Sequence, residues 1–511
     1  MSSEKVYKSR ISRASVMIVI AISEFLIGLL LITYFGERAG WAEALLRMIS
    51  FVLFLYIVRS SRHLSADIMW IMLILLFPVP ATVYYVILNW SLISNRTYKS
   101  LRRSTMRARI CYTQDPEILS EAAEAAGDRQ GQIVYLSQFE GFPVYRDTGV
   151  SYYPLGEDSL SDMLEALAGA ENFIFMEYFI IKRGSVWEEI LKILRQKVKE
   201  GLDVRVMYDD MGSINSIPKS YAKQLEKEGI SCVSFNRISP ILSLIMNHRD
   251  HRKILVIDGK IGFTGGINIA DEYFNRTHPY GEWKDNCIRV TGEAVWSMTV
   301  MFLTMWNAVR KEDDDFRIFR VHARSRGKKT DGYIIPYADT PLDRNLTGQY
   351  VYTNILNQAQ RYVYIFTPYL IIDNEMTNAL TLAAQRGVDV RIVTPGIPDK
   401  KVVYGITRSY YKPLISCGVR IFEYTPGFVH SKVFVCDDMI ATVGTINLDY
   451  RSLFLHFENG IYLYGSREIP KIRQDLTDAM ERSREITEQT KYLGLFENIL
   501  ISIVRPFAPL L

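Results

Sequence analysis

Cysteine is scarce in this chain. Five residues in 511 (Cys111, Cys232, Cys287, Cys417 and Cys436) stand far apart, and none forms a CxxC pair. That spacing excludes a disulfide framework and a cysteine zinc site, and it fits a reducing compartment. Histidine is equally sparse, at seven residues, and no obvious metal-ligating cluster is present. Neither a metal nor another cofactor is expected. A large excess of one charge is missing too, since 60 Lys/Arg oppose 56 Asp/Glu for a net of +4. The distribution is uneven, however. Residues 1–110 hold 14 Lys/Arg and 5 Asp/Glu, a net of +9, which leaves −5 for the remainder. Basic charge beside apolar segments, with an acidic body, points to an anionic membrane surface and away from nucleic acid.

Three apolar runs lie in that basic region, at about 16–35, 42–58 and 68–90. The first has no small-x-small cleavage site and is long enough to span a bilayer, so it reads as an anchor and not as a cleaved leader. Glu24 interrupts it and is expected to face other helices. Basic clusters precede the first run, follow the second (Arg59, Arg62) and follow the third (Arg96 to Arg109). Keeping all three clusters on the cytoplasmic side takes two spans and a re-entrant or interfacial third segment, broken at Pro78-Val79-Pro80.

What the chain does have is one stretch written twice. His251-Arg252-Lys253, four apolar residues and Asp258 form the first copy. His430-Ser431-Lys432, four further residues and Asp437 form the second. Both read HxKxxxxD. Asn268 and Asn447 each follow their histidine by 17 residues, and a carboxylate comes later in each half, Asp285 and Glu458. Each apolar run reads as a short buried strand, on which His and Lys share a face. A turn and a second strand then lead to Thr264-Gly265-Gly266 and Gly444-Thr445, returning each Asn towards its Lys. Lys supplies charge, and Asn with backbone N–H supplies donors, so each half-site suits a phosphate. Gly266 and Thr445 are expected beside that phosphate. The other histidines (His63, His248, His278, His322 and His456) read as satisfied core residues.

The duplication extends beyond the motif. Strand, helix, strand and helix candidates at 173–181, 187–200, 204–208 and 221–229 recur from 362–371 and 376–386 onward, with Gly387 to Ile392 paralleling Gly201 to Val206. The expected fold is α/β: two duplicated domains, 111–325 and 326–490, sharing one active site and preceded by a membrane region, 1–110. The polar stretch 323–330 is the expected linker. The segment 491–511 reads as a helix with Leu493, Phe496, Leu500 and Val504 on one face, either packed on the domain or touching the membrane.

A two-fold half-site implies phosphoryl chemistry at a domain interface. One His attacks phosphorus, and the other protonates the leaving oxygen and then deprotonates the acceptor. Lys253, Lys432, Asn268 and Asn447 stabilise the transition state. Asp285 and Glu458 fix a His tautomer from its far nitrogen. Asp258 and Asp437, at the strand ends, complete the motif in an orienting or structural role.

The doubled HxKxxxxD with its downstream Asn resembles the signature of the phospholipase D superfamily. Further stretches resemble bacterial cardiolipin synthases: Met69-Trp70 with Phe77-Pro78, Met176 to Ile180, Thr264 to Tyr273, Thr367-Pro368-Tyr369, Gly444 to Ser452 and the Pro-Leu-Leu ending. The resemblance covers about residues 45 to 511. It implies two α/β/α-type domains and a membrane-anchored enzyme, which with the charge clusters above gives a multi-pass protein of the bacterial cell membrane with a cytoplasmic catalytic body. It implies transfer of a phosphatidyl group from one phosphatidylglycerol to another with release of glycerol, His251 being the nucleophile and His430 the acid/base. Phospholipase D activity, transfer to another alcohol, and a non-catalytic scaffold for anionic lipid are the alternatives. Oligomeric state has no sequence signal.

Overall fold

The computed structural model describes residues 40–60, 64–78, 80–83, 85–86, 96–146, 148–237, 247–322, 332–343 and 345–490, with 494, 501, 504 and 505 of the tail. Apart from the last two residues, the chain forms two compact units. Met1–Asn95 with Asn236–His248 is one, and Arg96–Phe235 with Arg249–Pro509 is the other.

In the first unit, helices Gly40–Ser60 and Leu64–Leu76 pack together. The Ser50 hydroxyl donates to the Pro78 carbonyl at 2.6 Å and accepts from Thr82 at 2.8 Å. Among the described residues no helix is long and apolar enough to cross a membrane. The span expected at 42–58 is therefore without support; it falls in a helix that carries Glu43 and Arg47 in its first half and Arg59 in its last turn. The segment expected at 68–90 meets the end of the second helix at Leu76, just before Pro78, where its break was expected and where the ring lacks an N–H donor. The span at 16–35 and the linker at 323–330 lie outside the described residues.

The second unit is built twice over, as the repeat requires. The first half supplies β1 (Thr148–Tyr153), β2 (Phe173–Tyr178), β3 (Asp203–Asp209), β4 (Ser231–Phe235), β5 (Lys253–Ile257), β6 (Ile261–Gly265), β7 (Glu282–Lys284) and β8 (Cys287–Gly292). The second supplies β9 (Tyr333–Asp339), β10 (Tyr362–Phe366), β11 (Leu370–Ile371), β12 (Asp389–Pro395), β13 (Arg420–Tyr424), β14 (Gly427–Val429), β15 (Val433–Cys436), β16 (Ile440–Gly444), β17 (Leu448–Asp449), β18 (Glu458–Tyr464) and β19 (Ser483–Ile486). The first sheet runs β1-β8-β6-β5-β2-β3-β4. The second runs β9-β18-β16-β15-β10-β12-β13-β19, the same order with one added edge strand. In both, three strands are parallel and joined through helices, and the motif hairpin is inserted antiparallel beside them.

Both motif strands are buried on both faces. Each large apolar side chain so placed contributes roughly 1.5–3 kcal/mol. The helix Val295–Arg310 is apolar around most of its circumference and buried for the same reason, because it packs on β2, β5, β6 and β8 and on β9 of the other half. Helix Arg96–Cys111 packs along it, burying Tyr98, Leu101 and Ala108 and turning Arg102, Arg103, Arg107 and Arg109 outward. That helix therefore groups with the catalytic body, although its charge placed it with the N-terminal region. In the tail, Ile501 and Val504 pack against the core of the second half.

Asp258 and Asp437 occupy the turns after the motif strands, at φ 52° and 53°. Asp258 accepts from the backbone N–H groups of Glu171, Asn172 and Phe173 at 2.7–2.9 Å. Asp437 accepts from Gln360, Arg361 and Tyr362 at 2.8–2.9 Å. Each ties its hairpin to the strand beside it, and neither lines the cavity between the histidines. Asp437→Ala is expected to destabilise the fold by about 2–4 kcal/mol, since three N–H groups lose their acceptor at once. A thermal melt and activity per folded molecule at low temperature separate that from a catalytic loss.

Candidate active site

Two backbone exchanges join the halves. β7 pairs in parallel with β14, and Asp250 bridges Phe457. The His430 N–H donates to the Lys284 carbonyl at 2.7 Å, and the His251 N–H to the Phe457 carbonyl at 2.9 Å. Each motif histidine is thus held against the segment that carries the other half's carboxylate. The side chains follow. His251 Nδ1 lies 2.9 and 3.0 Å from the two oxygens of Glu458, and His430 Nδ1 lies 2.7 Å from Asp285 Oδ2. The orienting carboxylates are exchanged across the pseudo-dyad, which sequence order does not reveal.

Gly266 and Thr445 hold those carboxylates. Neither lines the cavity, and both contact the carboxylates instead. The Thr445 hydroxyl donates to Glu458. A Cβ on Gly266 would come within 1.9 Å of Asp285 Oδ1, so the position must be bare for that carboxylate to reach His430. Gly266→Ala is expected to displace Asp285 and cost at least about 100-fold in turnover, the usual toll of a misplacement near 1 Å. Wild-type turnover in a folded Gly266→Ala enzyme would show that Asp285 does not set His430.

Around the histidines lies a cavity of about 580 Å³ lined from both halves, including His251, His430, Asn268 and Asn447. Lys253 and Lys432 are buried, and each ammonium donates to the backbone carbonyl of its own motif histidine. A parallel contact in each half, Ile181 with Ile269 and β11 with β17, brings Asn268 and Asn447 to the wall. Asn268 accepts from Ile180 N–H at 3.0 Å and donates to Tyr273 at 2.9 Å. Asn447 donates to Asp449 at 3.0 Å, and its carbonyl oxygen has no partner among the described residues.

His456, expected in the core, also lines the cavity. Its ring centroid is 5.4 Å from that of His251. It sits in the bend between the short helix Tyr450–Phe454 and β18, two residues before Glu458. His251, His456 and Glu458 bring ligand atoms within 4.8 Å of one another and could hold a metal ion.

Burial sets the charge state. His251 is pushed well below the ordinary imidazole range by burial and by the charges of Lys253 and Lys432. His430 is lowered to about 4 by burial and Lys432, against the pull of Asp285. Lys253 falls to about 7 and Lys432 to about 8, chiefly through burial. Burial alone would raise the Asp285 carboxyl, but His430, Lys432 and the Asn286 N–H outweigh it and hold it low. Near neutrality both imidazoles are uncharged. Nδ1–H of each faces a carboxylate, which leaves the Nε2 lone pair free for the cavity.

An anion entering this site favours every charged form. Groups with lowered pKa values are neutral above those values, so binding at pH 8 recharges Lys253 and draws protons in. A non-hydrolysable phosphonate is expected to bind with net proton uptake at pH 8, and more tightly as pH falls from 8 to 6. The buffer dependence of the binding enthalpy measures the uptake, and proton release would contradict it.

A family model described as "Cardiolipin synthase, PLD-like domain" matches residues 163–306 and 352–482. A cardiolipin synthase of Halalkalibacterium halodurans is 32% identical over 458 residues, 89% of this chain and 91% of that one. A cardiolipin synthase 2 of Bacillus anthracis is 32% identical over 464 residues, 90% of each chain. An uncharacterized protein of Streptococcus mutans is 46% identical over 461 residues, 89% of this chain and 99% of that one. Among solved structures, phosphatidylserine synthase of Haemophilus influenzae matches the fold with a TM-score of 0.56 at 14% identity, over 74% of this chain and 97% of that one. The doubled fold and shared site define a phospholipase D-type phosphatidyltransferase. Within that class, the chain belongs to the cardiolipin synthase family of phospholipase D-like proteins.

Proposed function

We propose that this enzyme makes cardiolipin by transferring the phosphatidyl group of one phosphatidylglycerol to the headgroup hydroxyl of another. The observation that carries the reading is the pair of buried imidazoles lining one cavity, each oriented by a carboxylate of the opposite half. His251 Nε2 attacks phosphorus and becomes phosphohistidine. The glycerol oxygen leaves with a proton from His430, which the anionic substrate has recharged. His430 then takes the proton of the acceptor hydroxyl, and that oxygen attacks phosphorus and frees His251. Lys253, Lys432, Asn268 and Asn447 surround the phosphoryl oxygens as charge develops. Aromatic rings of Tyr273 and Trp283 lie 5.2 and 5.6 Å from His430 and limit water at the intermediate.

The N-terminal region, residues 1–110, is proposed to hold the enzyme at the bacterial membrane with the catalytic body on the cytoplasmic side. The basic clusters beside its apolar runs support that placement. Vesicles of phosphatidylglycerol test the reaction, with products identified by mass. Cardiolipin with free glycerol is expected. Phosphatidic acid as the main product would make water the acceptor and the enzyme a phospholipase D, and lipid binding without turnover would leave a scaffold.

A further inference from the structure

The two orienting carboxylates do not have the same surroundings. Two residues before Glu458 stands His456, and two before Asp285 stands Trp283. Glu458 therefore has two imidazoles beside it, with His251 Nδ1 at 2.9 Å and His456 Nδ1 at 3.6 Å. Asp285 has His430 Nδ1 at 2.7 Å and an indole at the place of the second imidazole. His251, His456 and Glu458 are all buried, at 6%, 8% and 0% exposed. Neither ring nitrogen of His456 has a hydrogen-bond partner among the described residues, and a buried polar group without one is costly unless a ligand supplies it. The transfer mechanism gives His456 no task.

Two imidazoles and a carboxylate form a ligand set that zinc uses where it keeps one position open. One ligand atom from each of the three residues lies within 4.8 Å of the others. Ligands on one tetrahedral zinc ion stand roughly 3.3 Å apart, so both distances to Glu458 are close to fitting and a small turn of the His456 ring closes the set. His251 and His456 line the cavity, which leaves the fourth position open to it. Burial holds both imidazoles uncharged near neutrality, so each keeps a lone pair to give. The cations nearby oppose a metal ion, but they are answered. Arg249 lies 3.6 Å from Asp209, Asp449 opposes the charge of Arg451, and the two motif ammoniums donate to the backbone carbonyls of their own histidines.

We propose that His251, His456 and Glu458 form an inhibitory site for a divalent transition-metal ion, zinc above all, which removes the nucleophile from the reaction. The metal is no cofactor of the transfer. The block holds whichever nitrogen of His251 the metal takes. At Nε2 it occupies the lone pair that attacks phosphorus. At Nδ1 it displaces the proton shared with Glu458, and the neutral ring then carries its proton on Nε2, where it can no longer attack. Magnesium and calcium prefer all-oxygen ligands and are not expected here. The block rests on the reading of His251 as nucleophile, whereas the binding of the metal does not.

Two measurements on the full-length enzyme test this. Equilibrium dialysis against zinc counts bound metal, and p-nitrophenol release from a soluble p-nitrophenyl phosphodiester reads the block without a lipid surface that itself binds metal. Wild type is expected to hold one zinc ion per chain more than His456→Phe, and His430→Ala as many as wild type, because the first half has Trp283 where His456 would stand. Zinc is expected to stop p-nitrophenol release, a chelator to restore it, and magnesium to have no effect. In His456→Phe the zinc concentration for half-inhibition is expected to rise at least about tenfold, the lower end of what disturbing the groups around a bound metal costs. Each variant is compared with itself without zinc, so a change in its own turnover does not enter, and His456→Gln repeats the comparison with a polar side chain. Equal zinc in wild type and both His456 variants, or loss of zinc in His430→Ala, would overturn the site. Zinc bound through His456 with release unchanged would overturn the block. A wild type that releases no p-nitrophenol would instead sink the nucleophile reading of His251, and the dialysis would then decide the site.

Discussion

His251→Ala is expected to lower phosphatidyl transfer by about four orders of magnitude or more, the usual scale for loss of a covalent nucleophile. The imidazole is buried, neutral and held by Glu458, so no neighbour can replace its lone pair in the same place. The His456 ring centroid is 5.4 Å away, and its Nδ1 stands 3.6 Å from Glu458, which is already held by His251 at 2.9 Å. Turnover within tenfold of wild type would mean that another group attacks phosphorus.

The second large effect separates the halves in an order the sequence does not suggest. Glu458→Gln is expected to cost about 10⁴ in turnover, as loss of a tautomer-fixing carboxylate does elsewhere, and Asp285→Asn a comparable amount. The two variants fail differently. With a p-nitrophenyl phosphodiester the leaving group needs no acid. His430→Ala and Asp285→Asn should then release a burst of p-nitrophenol and stall at the covalent enzyme. His251→Ala and Glu458→Gln should show no burst. The variants group as 251 with 458 and 430 with 285, in opposition to their places in the chain. Grouping by half, 251 with 285, would contradict the exchanged hydrogen bonds.

Much of this was legible because strands report their faces. The alternation in Lys253–Ile257 and Val433–Cys436 places each His and Lys on one side, and the repeated helix and strand spacing gives two sheets of one order. The exchange of carboxylates was not legible, since local spacing carries no information about a partner roughly 150–200 residues away. The carboxylate contacts of Gly266 and Thr445 were hidden for a related reason. A small residue beside a motif suggests a phosphate cradle, yet here it makes room for, or donates to, a carboxylate that the other half's histidine needs. His456 was masked by the rule that a lone histidine packs in the core, and the bend that turns it into the cavity has no local sequence signal.

The most direct measurement is the site of the covalent bond. His430→Ala enzyme is quenched during its burst with a p-nitrophenyl phosphatidyl donor, digested under alkaline conditions that preserve phosphohistidine, and mapped by mass. The phosphoryl label on the peptide containing His251 is the predicted result. A label elsewhere, or a burst with no labelled peptide, would contradict a mechanism in which His251 is the nucleophile of the shared site.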